Sequence, residues 1–171
     1  MANPLTLYVP IKQDPITQAK VQLIAAGFVQ SVQSGLDSSK IVHYARLTLI
    51  PNLTGGGVQA LCLITTFDKA MNPYLEFFWK NKGTRTAFQG IADIALTPPN
   101  PPVKDLTGFQ KFINSNNLNQ PKDLYQAYTQ TVAQIEHAFP KAPSNKGGSK
   151  KSASKSASKS GSKKGGSKKS R

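Results

Sequence analysis

Ile41-Val42-His43-Tyr44-Ala45-Arg46-Leu47-Thr48-Leu49-Ile50 runs into Pro51-Asn52-Leu53-Thr54-Gly55-Gly56-Gly57, and Val58-Gln59-Ala60-Leu61-Cys62-Leu63-Ile64-Thr65-Thr66-Phe67 follows. Two apolar runs separated by Pro, Asn and a glycine cluster read as strands joined by a hairpin-like loop. Alternation sets His43 with Ile41, Ala45, Leu47 and Leu49 on one face, and Arg46 with Tyr44 and Thr48 on the other. Upstream, Leu5, Leu7, Val9 and Ile11 alternate with Thr6, Tyr8, Pro10 and Lys12, a period-2 strand in which Pro10 marks a sheet edge or the strand's end. Between these strands Asp14-Pro15 opens a helix in N-cap then N1 order. Ile16, Ala19, Leu23, Ala26 and residues 28–32 carry its apolar spacing, and Ser34-Gly35 is its expected end.

Beyond the hairpin, Asp68 stands where it would cap a helix filled by Tyr74, Leu75, Phe77, Phe78 and Trp79, with Pro73 near its start. Residues 83–107 read as a loop-rich insert, since Pro98, Pro99, Pro101 and Pro102 form an extended patch that forbids helix. A short helix is expected at residues 108–115, with Phe109, Phe112 and Ile113 on one side. Alternation over residues 124–129 predicts a fourth strand, and residues 131–139 a terminal helix stopped by Pro140. The expected fold is therefore α+β: a ferredoxin-like β-α-β-β-α-(insert)-β-α plan, with an antiparallel sheet covered by helices on one face. The other sheet face then needs a cover, and face-to-face pairing of two copies, a homodimer, supplies one.

Charge divides the chain at the end of that domain. Residues 141–171 hold ten Lys, one Arg and no acid, whereas residues 1–140 hold eleven basic and eight acidic side chains; the tail thus carries +11 of the net +14. No large apolar residue follows Phe139, so the tail cannot bury enough surface to offset its ordering entropy and is expected to be disordered. Two domains follow, residues 1–140 folded and residues 141–171 a Lys/Ser/Gly-rich tail. Lys146, Lys150, Lys151, Lys155, Lys159, Lys163, Lys164, Lys168, Lys169 and Arg171 are spaced by Ser, Gly and Ala. That pattern suits nonspecific, phosphate-directed binding of DNA or RNA, with a solubilising spacer as the bland alternative. An anionic membrane is a poorer partner, because no apolar anchor is interleaved. No secretory signal and no membrane-spanning run is read in the sequence, so a soluble, cytoplasmic protein is expected.

His43-Tyr44-Ala45-Arg46, Thr65-Thr66-Phe67-Asp68, Tyr74-Leu75 and Tyr125-Gln126-Ala127-Tyr128 followed by Thr131-Val132 and Ile135 occur in that order. Together they resemble ferredoxin-like proteins of the dimeric α/β-barrel superfamily, in a branch with no settled activity. The tail resembles histone-like bacterial tails. The superfamily includes small monooxygenases, dye-decolorising peroxidases and chlorite dismutases. The resemblance therefore implies a dimer and, as a second function, an oxidoreductase with a pocket near His43 and Arg46. Its haem-dependent members carry a Gly-x-x-Asp-Gly motif that this chain lacks, so haem has no motif behind it here.

The candidate pocket residues are His43, Tyr44, Arg46 and Asp68, each with a structural alternative. His43 is a packed strand histidine or else a ligand or proton shuttle. Arg46 forms an ion pair, with Asp68 as one partner, or anchors an anion with its planar fork. Asp68 is first a helix cap and only then a base. His137 reads as a surface residue at a helix C-terminus. Two histidines and a single cysteine, Cys62, leave no zinc-type spacing, and no metal site is expected. Cys62 lies in an apolar run and reads as a buried structural thiol. No nucleophile elbow or phosphate loop occurs, and the catalytic residues are unassigned.

Overall fold

Leu5, Leu7 and Val9 are wholly buried in β1 (Asn3–Pro10), while Thr6 and Tyr8 between them are partly exposed. In the computed structural model, which describes residues 2–119 and 123–140, β1 is joined by β2 (Val42–Pro51) and β3 (Val58–Phe67). The three form an antiparallel sheet in the order β1-β3-β2. Register aligns Leu5 with Thr65 and Ala45, Leu7 with Leu63 and Leu47, and Val9 with Leu61 and Leu49. These rungs form one face, against which the helices pack.

Five helices complete this α+β unit: α1 (Pro15–Ser39), α2 (Met71–Lys80), α3 (Lys82–Ile94), α4 (Leu106–Asn116) and α5 (Val132–Ala138). Among the described residues no helix is long and apolar enough to cross a membrane. The start of α1 is as the sequence predicts: the Asp14 side chain accepts the Thr17 N–H at 2.9 Å, with Pro15 in the first turn. Its end is not, because α1 continues past Gly35 to Ser39 and closes on Lys40 in the left-handed region (φ 51°). Gly35 serves helix contact instead: a Cβ there would lie 2.8 Å from Thr84 Oγ1 of α3. Gly83 has the reciprocal role, since a Cβ there would clash with the Ser31 carbonyl oxygen of α1. Glycine at both positions lets α1 and α3 approach closely.

α3 itself occupies part of what the sequence suggests is a loop. Gly83, Thr84, Thr86 and Gly90 are poor helix formers, yet Thr84, Phe88, Ile91 and Ala92 recur at helical spacing and are buried. Asn81 caps the helix, accepting from the Thr84 N–H at 3.0 Å. Tertiary burial outweighs local propensity in this segment. The helix predicted at residues 108–115 is present as α4, capped by Asp105. The terminal helix is present as α5, closed by a Thr131/Gln134 capping box.

The expected fourth strand is absent: residues 123–131 form neither strand nor helix, and Tyr125 and Tyr128 stand in solvent. The outer edge of β1 is closed by the segments after α3 and α4. Leu118 N–H donates to the Thr6 carbonyl at 2.8 Å, Leu96 N–H to the Pro10 carbonyl at 2.7 Å, and Asn119 Nδ2 to the Pro4 carbonyl. Pro4 and Pro10, which have no N–H to leave unpaired, sit at outward-facing positions of this edge. The expectation of an edge at Pro10 therefore holds.

An aromatic seam ties α2 to the sheet. Tyr74 stacks on Phe67 (centroids 3.7 Å apart) and meets Phe78 edge-on at 4.7 Å. Trp79 and Phe88 both contact Phe109 of α4. Burial pushes the Tyr74 phenol from its ordinary value of 10.0 up to about 12, with a weak opposing bond from its hydroxyl to Thr65 Oγ1 at 3.5 Å. A raised phenol pKa means that the folded state holds its proton where the unfolded state has lost it. The stability Tyr74 contributes is thus complete below pH 10 and declines as pH rises to about 12. Urea titrations across that range should show a loss of about 2–3 kcal/mol that the Tyr74→Phe variant lacks. Parallel pH profiles for the two proteins would remove Tyr74 as its source.

Candidate functional site

Strand β2 does not follow its own alternation through His43. Val42 pairs with Phe67 and Tyr44 with Thr66, so a bulge places two residue steps of β2 opposite one of β3. Val42 thereby takes the helix-facing ladder position, and His43 is displaced from the face where strict alternation sets it. Its ring reaches the end of β3, where Nε2 lies 2.9 Å from Asp68 Oδ1. A carboxylate only accepts, so Nε2 carries the proton of that bond and Nδ1 keeps the remaining position.

Asp68 is buried, and its second oxygen is also used: Oδ2 accepts the Val132 N–H of α5 at 2.7 Å. Its own N–H donates to the Ile41 carbonyl at 2.7 Å. The expectation that Asp68 caps the following helix is corrected here, for the N-cap of α2 is Ala70, with no side-chain cap. Asp68 instead binds the start of α5, 64 positions later in the chain. The proposed Arg46–Asp68 ion pair is likewise not formed, because His43 and Val132 occupy the carboxylate. With both oxygens engaged, Asp68 orients His43 and holds α5, and is not arranged as a general base.

Arg46 and Tyr44 lie on the sheet face away from the helices, in register with Ile64 and Thr66 of β3. Their alternation is as the sequence predicts. Arg46 is exposed, Tyr44 is 48% exposed and Ile64 37%. Cys62 lies on this face between Tyr8 and Thr48, is buried, and its thiol pKa is raised by that burial. It is a packed thiol, as its apolar run suggests.

The four candidate residues do not line one pocket. An apolar cavity of about 20 Å³ lies between sheet and helices, among Leu5, Ala45, Thr65, Tyr74 and Phe88, and no histidine reaches it. That volume is about one water molecule's worth, so this cavity has no room for a haem. A second, shallow cleft of about 360 Å³ runs beside Asp68, between Lys40, Lys69 and Thr131. Sequence reasoning missed this cleft, and no local signal marks it: both lysines adopt positive φ (51° and 71°) without glycine or asparagine. A groove of about 560 Å³ separates the proline-rich segment from α4. Among the described residues, no three His, Cys, Asp or Glu side chains cluster to hold a metal ion. His137 lies exposed in the last turn of α5, as the sequence suggests. The tail cations from Lys146 to Arg171 lie outside the described residues.

No family model matches the chain, and no curated protein or solved structure matches it significantly.

The Asp68 linkage should be visible in stability. Asp68→Ala leaves a partly buried histidine and the Val132 N–H without their acceptor, and should cost about 2–4 kcal/mol in urea denaturation. Amide exchange at Val132 should accelerate in the same variant while that of β3 residues follows global unfolding alone. Unchanged exchange at Val132 would show that α5 is held by other contacts.

Proposed function

We propose that the chain is a homodimeric ferredoxin-like binding domain tethered to nucleic acid by a nonspecific polycationic tail. The segregation of charge carries this reading: residues 141–171 hold +11 and no acid, and residues 1–140 hold +3. Such a tail neutralises phosphates and reads no bases, so its affinity depends on salt and not on sequence. A β-α-β-β-α start with strand order β1-β3-β2 supports the ferredoxin-like kinship. The half-exposed face bearing Tyr44, Arg46 and Ile64 supports pairing of two copies through their sheets. Two tails on one dimer bind with avidity beyond that of either. A cytoplasmic setting, where nucleic acid is accessible, belongs to the same proposal.

Fluorescence anisotropy with a labelled duplex, for the full chain and a 1–143 truncation, tests the tether. The full chain should bind, with log affinity falling by roughly 0.9 per decade of salt for each phosphate neutralised, toward a slope of about −10 if every tail cation engages. The truncation should lose at least about a hundredfold at low salt. Equal binding by both proteins, or by neither, would sink the proposal. Sedimentation tests the pairing: Ile64→Lys places a charge on the open face away from the core and should convert a dimer to a monomer.

A further inference from the structure

All fourteen aromatic side chains fall within the described residues, and the three most exposed are the last three in the chain. Tyr125 is 88% exposed, Tyr128 79% and Phe139 78%. None of the three meets another ring, whereas Phe28, Phe67, Tyr74, Phe77, Phe78, Trp79, Phe88 and Phe109 each stack on or meet one edge-on. Rings left in water at this density call for a partner. They also lie next to the tail in sequence, Phe139 being two positions before Lys141.

We infer that Tyr125, Tyr128 and Phe139 are a base-stacking platform and that the preferred ligand of the chain is single-stranded nucleic acid. The inference rests on the polyanion-binding reading above and names the form of the polyanion. Cations bring phosphates of any nucleic acid to the tail. Only unpaired bases offer the faces that exposed rings can cover, because a duplex already stacks its bases on each other. The combination of a positive track with exposed aromatics is what sequence-tolerant single-strand binding requires. Tyr125 and Tyr128 sit in a stretch without helix or strand, pinned at Gln126, whose Oε1 accepts the Ala2 N–H at 3.1 Å. That bond ties the stretch to the start of β1. Of the two acids in this stretch, Glu136 pairs with Lys40 at 3.8 Å.

The test compares a labelled oligo-dT strand with a duplex of equal length, at one salt concentration, using the full chain. The single strand should bind at least about tenfold more tightly, since each stacked base is worth roughly fivefold to a hundredfold by alanine substitution. A full-chain Y125A/Y128A/F139A variant should lose that preference while keeping its duplex affinity. The substituted rings are exposed, so the fold is expected to survive, and fluorescence of the single tryptophan, Trp79, verifies it. Photocrosslinking of an iodouracil strand should map to Tyr125 or Tyr128. Equal affinity for strand and duplex, or a preference untouched in the triple variant, would falsify the stacking platform and leave the tether standing. Binding of neither ligand overturns both.

Discussion

Register across the three strands is the constraint on which this structure depends. Side chains alternate with a period of two, so a slip by one residue would turn every buried position toward solvent. The rungs Leu5–Thr65–Ala45, Leu7–Leu63–Leu47 and Val9–Leu61–Leu49 fix that register, and the helices pack upon them. The bulge at His43 follows from the same requirement, because it lets Val42 meet Phe67 on the buried face. Displacing His43 is what brings its ring to Asp68, and through Asp68 the sheet reaches α5. A local irregularity in β2 and the placement of the last helix are thus one linked feature.

Much of this was legible in the residues. Strand alternation in β1, the hairpin, the Asp14-Pro15 helix start and the α5 region are all strong local signals. What misled were residues whose chemistry serves distant partners. Gly35 reads as a helix stop, but its missing side chain makes room for Thr84; Gly83 reads as loop, but it makes room for Ser31. Asp68 reads as a cap for the nearest helix and is bound to one far along the chain. Leu124, Gln126 and Tyr128 alternate as a strand would, yet the edge they would have joined is taken by the segments after α3 and α4. Pairwise competition for that edge has no signature in a linear pattern. Of the candidate site, the His43–Asp68 contact joins two of the four residues, while Tyr44 and Arg46 share the opposite, open face.

Two kinds of surface result, and they differ in physical character. The His43–Asp68 cluster is largely buried and both Asp68 oxygens are engaged, which suits it to holding structure. The open sheet face and the C-terminal aromatic stretch are half-exposed or fully exposed. Both proposed contacts, between copies and with nucleic acid, fall where burial is least complete.

Closure of the β1 edge has a consequence for molecules held close together. Chains gathered along one polyanion would meet at high local density, a condition in which free strand edges join into extended sheets. Here one edge is occupied by residues 95–96 and 117–119 and interrupted by two prolines. The other, β2, is distorted by its bulge at His43 and ends in Pro51. Chains crowded on the proposed polyanion would therefore meet edges that resist joining into an extended sheet.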